Sequence, residues 1–228
     1  MAGRRQLMKR MTRVAIAVVA GAGVGAGCRC TPPAAVDEPA ANLEVKAAFI
    51  DVDETPSDGK QPVIVQLFRG GTFVQLAGTA MVECNGVPLT WNGIGYAERV
   101  PLVPPGGTYT IAHRRGAVIT RMSVMVPPRP VIATPAPGAT VARSSMFVII
   151  YPPAGGTSVR PGVAGPATSR SGEAQPDDGD ATIDASDVGT GAGSVSLVRD
   201  FEGTVSGTGF AAARFVYSTG KRQPVVWQ

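Results

Sequence analysis

Histidine, cysteine and aromatic residues are scarce in this chain. Its 228 residues include one histidine and three cysteines, and aromatic residues make up 6%. A single histidine leaves a histidine-based catalytic triad or zinc site short of partners. Cys28 and Cys30 lie near the N-terminus, so Cys84 is the one cysteine in the region expected to fold. This arrangement excludes a framework of internal disulfides, although a Cys30–Cys84 bridge stays open in an oxidising compartment.

Long hydrophobic runs are missing as well. The apolar stretch at residues 14–27 has about 14 residues, whereas a membrane-spanning helix needs about 20. Glycine occupies four of its last seven positions, which disfavours a helix further. A basic head precedes the stretch and small residues end it, the pattern of a cleaved export signal. We therefore predict a signal peptide over residues 1–27.

The basic head contains the segment Arg4-Arg5-Gln-Leu-Met-Lys. It resembles the twin-arginine export motif, in which two arginines precede a variable residue and two apolar residues. The resemblance implies that Arg4 and Arg5 direct export of an already folded chain. A generic basic head for the Sec route is the alternative, and the sequence leaves both routes open.

A cysteine directly follows the small residues Gly25-Ala26-Gly27. The segment resembles the bacterial lipobox, with Gly25 standing where leucine is usual. The resemblance implies that the sulfur of Cys28 receives a diacylglycerol and that Cys28 becomes the new N-terminus, which places the protein outside the cytoplasm on a membrane of the cell envelope. Ordinary cleavage that leaves Cys28 and Cys30 as a free pair is the alternative. Residues 28–42 then read as a flexible tether.

The net charge of +4 comes from the predicted signal. That segment holds five of the 21 basic residues and no acid, so 16 basic residues face 17 acidic ones in the remainder. The mature chain is thus close to neutral. A nucleic-acid partner, which requires clustered positive charge, has no support.

The remainder reads as β-strands separated by turns, with 29 glycines and 20 prolines in the whole chain. Residues 43–127 alternate apolar and polar positions in runs spaced like the strands of an antiparallel sandwich. Residues 128–130 read as a proline-rich hinge. Residues 131–228 are predicted to form a second module with a long loop at about 152–192. The alternative is that parts of residues 152–192 pair as strands.

Both modules resemble the immunoglobulin-like and fibronectin-III-like β-sandwich modules common in exported bacterial proteins. The resemblance is one of pattern, because the Cys…Trp…Cys hallmark of true immunoglobulin domains is missing. We predict an all-β fold of two antiparallel sandwich modules. Within it, Asn85-Gly86 predicts a tight hairpin turn, Arg114-Arg115-Gly116 a three-residue hairpin loop, and the apolar run 147–151 a central strand.

Few residues are candidates for chemistry. His113 is read as a structural or surface residue, and Cys84 as a buried small apolar residue rather than a reactive thiol. The acidic segments 51–59 and 177–187 lack the spacing of a calcium loop, so both are read as solvated loops.

Two interpretations are open for the aromatic residues Trp91, Tyr96 and Trp227. They are either a sugar-binding platform or, more in keeping with aromatic residues in strands, part of the core. No catalytic, cofactor-binding or metal-binding residue is nominated. The expected function is therefore a membrane-tethered, non-enzymatic binding or structural module that meets a protein or glycan partner at the envelope. A carbohydrate-binding module is the first alternative, and a secreted hydrolase the second.

Overall fold

The structure is a computed structural model that describes residues 35–52 and 56–228. The predictions for Arg4, Arg5, Cys28 and Cys30 lie outside these residues. The described chain is all-β, as predicted, with one short 3-10 helix at Ala40–Asn42. In this part of the chain no helix has the length and apolar character needed to cross a membrane.

The first eleven strands in chain order supply most of the first hydrophobic core. Their bounds are Ala35–Val36 (β1), Glu44–Asp51 (β2), Lys60–Arg69 (β3), Thr72–Phe73 (β4), Gln75–Leu76 (β5), Met81–Cys84 (β6), Val87–Pro88 (β7), Thr90–Trp91 (β8), Tyr96–Pro101 (β9), Thr108–Arg115 (β10) and Val118–Met125 (β11).

The first core lies between two sheets. One sheet has four strands in the order β11-β10-β6-β7, and the other is formed by the β2-β3-β9 part of a larger sheet. Strict alternation along β2 and β3 buries one side chain in two, so that Val45, Phe49, Val63 and Leu67 all face the core. This is the period of a half-buried strand, and it confirms the pattern predicted from residues 43–49.

Seven further strands complete the fold. Their bounds are Thr140–Val141 (β12), Phe147–Ile150 (β13), Ser158–Ala164 (β14), Ser169–Ser171 (β15), Asp180–Ile183 (β16), Gly191–Thr204 (β17) and Ala212–Trp227 (β18). A second core, which contains Ile149, Val159, Leu197 and Trp227, lies between the two-stranded sheet β13-β16 and the strands β14, β17 and β18.

The long hairpin of β17 and β18 contributes to both cores. Its residues Leu197 and Trp227 belong to the second core, whereas Ala213 and Tyr217 belong to the first. The first half of β18 pairs in parallel with β2, so one sheet runs continuously in the order β15-β14-β17-β18-β2-β3-β9-β8. The fold therefore mixes parallel and antiparallel pairs, and the division into modules at residues 128–130 stays a prediction.

Three local predictions need correction. The run 147–151 is not a central strand, because β13 pairs along its length with β16 on one side and has only a single bridge, from Ile150 to Thr134, on the other. It also leaves Val148 and Ile150 exposed. The segment 152–192 is not one long loop, and the alternative that parts of it pair as strands is confirmed, since β14, β15 and β16 lie in it. The loop after Arg115 has two residues, because Arg115 is already paired with Val118.

The turn at Asn85-Gly86 is confirmed. Cys84 pairs with Val87 across it, and the φ angles of Asn85 and Gly86 are 47° and 78°. Two central residues with positive φ define the type I′ turn that matches the twist of a hairpin.

Part of the predicted tether is folded. The carboxylate of Asp37 accepts a hydrogen bond of 2.7 Å from Nε of Arg115, Glu38 pairs with Arg69, and Ala40 is buried. Val36 also packs against the first core, so the part of the predicted tether at residues 35–42 is folded.

Candidate functional site

His113 lies in the middle of the four-stranded sheet rather than at the surface. β10 places it opposite Val82 and Thr120, its exposure is 2%, and its ring meets that of Phe210 edge-on with centroids 6.4 Å apart. Nε2 has no hydrogen-bond partner. Burial, with repulsion from Arg115, lowers the pKa of the imidazole below its usual 6.5. The ring, whose Nε2 has no hydrogen-bond partner, packs in the core, which is the structural one of the two roles predicted for it.

Cys84 is a free, fully buried thiol on β6. Burial raises the pKa of the thiol to about 12. The thiolate is the reactive form of cysteine, so Cys84 is inert while the chain is folded. This confirms the interpretation of Cys84 as a small core residue.

The aromatic platform is not formed. Trp227 is fully buried, and its indole N–H donates a 2.9 Å hydrogen bond to the carbonyl of Ala164. Trp91 packs against the first core and meets Tyr96 edge-on at 5.3 Å between centroids. All three side chains therefore fill cores, and the sugar-binding alternative loses the residues on which it was based.

The acidic segment 177–187 is engaged by arginines. Arg170 binds Asp184 at 3.0 Å and also pairs with Asp187, and Arg199 binds Asp177. No group of His, Cys, Asp and Glu side chains with the geometry of a metal site occurs in the described ranges. The prediction of a solvated loop is therefore wrong for Asp177, which is buried, whereas Asp184 and Asp187 stay exposed and pair with Arg170.

A buried ionic cluster joins the segment to β17, and sequence reasoning missed it. The Asp177 and Arg199 side chains are each 1% exposed, with Nε and Oδ2 3.0 Å apart. Nη2 of Arg199 donates to Oδ1 of Asp177 at 3.0 Å and to the carbonyl of Pro152 at 2.7 Å. The guanidinium lies over the ring of Tyr151, 5.5 Å from its centroid. Oδ2 also accepts the N–H of Gly156 at 2.7 Å. Every contact is internal, so the cluster fixes the fold.

A second polar contact fixes the predicted hinge. Arg129 lies in the proline-rich stretch, and its Nη2 donates a hydrogen bond of 2.5 Å to Oδ1 of Asp51. Asp51 ends β2 and is 3% exposed. The hinge is therefore attached to the first core through a largely buried carboxylate.

One concave feature is a shallow trough on the outer face of the large sheet. Its volume is about 170 Å³, and its lining consists of Val163, Ala164, Ser169, Arg170, Ser171, Ser194, Ser196 and Arg222. Small molecules usually bind in pockets of about 300–1,000 Å³. A space of this size accommodates a single chemical group of a larger ligand rather than a whole molecule.

The strand register explains the trough. Gly162 on β14 pairs with Ser171 on one side and with Ser196 on the other. A Cβ at Gly162 would lie 2.4 Å from Oγ of Ser196, so the glycine leaves the space that this hydroxyl borders. The next paired row repeats the arrangement, with Ala164 between Ser169 and Ser194. Serine hydroxyl groups thus flank the bottom of the trough, which Gly162 and Ala164 form. A hydroxyl group both donates and accepts hydrogen bonds.

Comparison with solved structures finds similarities of low degree. Domains 4 and 5 of the S-layer protein SbsC are 15% identical over 82% of this chain and 99% of that chain, with a TM-score of 0.26. SGBP-B of the Bacteroides ovatus mixed-linkage glucan utilization locus, solved with a mixed-linkage heptasaccharide, is 12% identical over 91% of this chain and 69% of that chain, with a TM-score of 0.25.

The BSP domain of a biofilm associated protein is 14% identical over 77% of this chain and 29% of that chain, with a TM-score of 0.25. TM-scores and identities this low establish neither a shared fold nor a shared function. No protein-family model and no curated protein matches the chain.

Proposed function

We propose that this chain is an exported lipoprotein, attached to a membrane of the cell envelope through Cys28, that serves there as a non-enzymatic binding or structural module. The observation that carries the proposal is the order of features along the sequence. A basic head with Arg4 and Arg5 and a short apolar stretch precede Cys28, which is the arrangement of an export signal. The all-β framework follows directly.

The short distance between Cys28 and the framework supports a role close to the membrane. Six residues lie between Cys28 and Ala35, where β1 begins. An extended chain spans at most about 3.3–3.6 Å per residue, so the reach is about 25 Å. Two or more fatty chains are needed for stable anchoring, and a lipidated Cys28 would hold the module next to the headgroups.

The surroundings of His113 weigh against the hydrolase alternative. A general base must lie within hydrogen-bond reach of the proton that it removes. Nε2 of His113 is buried without any such partner, and the ring packs on Phe210. The surroundings of His113 therefore favour recognition or scaffolding over hydrolysis that depends on a histidine base.

Cross-linking in envelopes of the native host tests this role. Antibody capture of the chain after cross-linking is expected to recover the same envelope component in repeated experiments, and less of it from the Cys28→Ala variant. Recovery of nothing above background from wild-type envelopes would contradict the proposal.

The trough favours glycan recognition as a second candidate function. Its serine hydroxyls both donate and accept hydrogen bonds, which suits a polyhydroxylated ligand. A glycan array should show a hit that Ser196→Leu abolishes by filling the trough. The matched variant Ala48→Leu, on the same outer sheet face over the first core, should keep it. An array without hits, or with hits that Ser196→Leu leaves unchanged, removes this candidate.

A further inference from the structure

Strand β11 is an unprotected sheet edge. It ends the four-stranded sheet and pairs with β10 alone. Its sequence Val-Ile-Thr-Arg-Met-Ser-Val-Met has eight residues, no proline and a single charge, that of Arg121. Natural proteins usually blunt a long edge with lysine, proline or a bulge, because its unpaired backbone groups are a template for another strand. This edge carries none of those devices except the one arginine.

The other edges in the described part of the chain are short or blocked. β8 has two residues and β15 has three. β7 has two residues and ends with Pro88, which has no N–H to donate. The backbone of β13 is bonded at Ile150 by Thr134. β16 has four residues, and the side chain of Gln175 bonds the backbone of Thr182 in it. Among the described strands, β11 is thus the one long edge with room for another strand.

The hydrogen-bond pattern shows which backbone groups face that edge. The N–H of Val126 donates to the carbonyl of Gly107, and Thr110 turns its own N–H and carbonyl toward Asn85 on the opposite side of β10. Since antiparallel pairs alternate between bonded and non-bonded residues, Val124 and Met122 bond to β10. The backbone groups of Ile119, Arg121, Ser123 and Met125 therefore point away from β10.

We propose that β11 pairs antiparallel with β11 of a second copy of this chain, which would join two four-stranded sheets into one of eight strands. A second copy of this chain fits this edge because the edge is complementary to itself. When the two-fold axis passes through Met122, all four outward-facing residues find a partner. Arg121 then lies opposite Ser123 of the second copy, and Ile119 lies opposite Met125 of the second copy.

This register keeps like charges apart and places apolar residues opposite one another. Shifting the axis to Arg121 would place two arginines directly opposite each other, which is destabilising. With the axis at Met122, four bonded pairs exchange about eight hydrogen bonds. Met125 and Val118, which are 69% and 67% exposed in the single chain, lie opposite Ile119 and Val126 of the second copy and become covered.

Charge substitutions at Ser123 test the register without disturbing the fold. Its side chain is exposed, and its hydroxyl contacts only that of Thr110 at 3.2 Å. In the proposed dimer Ser123→Lys places a positive charge opposite Arg121 of the second copy, whereas Ser123→Glu places a negative charge there. Ser123→Ala is the matched control, because it loses the same Thr110 contact and adds no charge.

The measurement is sedimentation equilibrium of the full mature protein in detergent up to about 1 mM, the range of weak association. Wild type and Ser123→Ala should dimerise with similar Kd. Ser123→Lys should raise Kd about tenfold and Ser123→Glu should lower it several-fold, both with unchanged melting temperature. A wild type that stays monomeric throughout overturns the proposal. So does a dimer whose Kd is the same in the Lys and Glu variants. Neither result depends on the identity of an envelope partner.

Discussion

Arg199 on β17 and Asp177 in the segment before β16 form an ion pair that is removed from water on both sides. Each side chain is 1% exposed, and the closest charged atoms are 3.0 Å apart. Burying two charges costs several kcal/mol per ion, which only good geometry and further hydrogen bonds offset. The carbonyl of Pro152 and the N–H of Gly156 supply those bonds. The pair therefore organises the loops of the second core around the Tyr151 ring.

Loss of one partner of this pair should be strongly destabilising. Arg199→Met leaves the Asp177 carboxylate buried without its cation, at an expected cost of about 3–5 kcal/mol in the free energy of unfolding. The double variant Asp177→Asn with Arg199→Met should regain part of that loss, because the amide oxygen still accepts the Gly156 N–H. Chemical denaturation gives both values.

An exposed ion pair is the control for this measurement. Arg99 and Asp58 are 48% and 43% exposed, so Arg99→Met should cost far less than Arg199→Met, because water screens the exposed pair. Equal costs for Arg99→Met and Arg199→Met would contradict the structural role of the buried pair.

Stability should fall in mild acid because of His113. Its pKa is lowered in the folded chain, while in the unfolded chain it is about 6.5. As the pH falls below about 6.5, the unfolded chain takes up the proton first, and the free energy of unfolding decreases until the folded pKa is passed. The slope for one proton is at most about 1.4 kcal/mol per pH unit.

Denaturation at a series of pH values between about 7.5 and 5.5, above the range of carboxylates, measures this effect. The variant His113→Phe keeps a ring against Phe210 and has no titrating group, so its stability should be nearly flat over the same interval. Parallel pH profiles for the two proteins would show that another group is responsible. Because His113 is the single histidine of the chain, no other imidazole contributes to the difference between the two pH profiles.

Gly193 should tolerate no side chain. A Cβ there would lie 2.2 Å from Nε1 of Trp227 and 2.3 Å from the carbonyl oxygen of Ala164. Gly193→Ala must displace the indole or the strand, at an expected cost of about 1–3 kcal/mol. Tryptophan fluorescence and thermal denaturation report the two effects. The neighbouring variant Ala192→Ser, at an exposed position of the same strand, should stay within about 0.5 kcal/mol of wild type.

Local patterns in the sequence predicted the local structure well. The alternation at residues 43–49 and the Asn85-Gly86 turn depend on neighbouring residues, and both were read correctly. The apolar run 147–151 led to a wrong prediction of a central strand. Its residues do not show whether a second layer of structure covers the outer face of the strand. In the structure that face stays open, which leaves Val148 and Ile150 exposed.

The sequence did not predict contacts between residues that lie far apart in the chain. Tyr217 pairs with Phe49 across a parallel strand pair, and Arg199 meets Asp177 across 22 residues of chain. Nothing in either stretch marks its partner. The trough is likewise a product of register, since Gly162 separates serines from two other strands. Such features become visible only once the strands are aligned.

The mass of the N-terminal peptide from native-host membranes, measured beside a Cys28→Ala variant, tests the central claim most directly. The account predicts a mature chain that starts at Cys28 and carries a diacylglycerol on its sulfur, and a Cys28→Ala chain that lacks the modification and leaves the membrane fraction. An unmodified N-terminus in the soluble fraction of the wild type would contradict membrane tethering through Cys28.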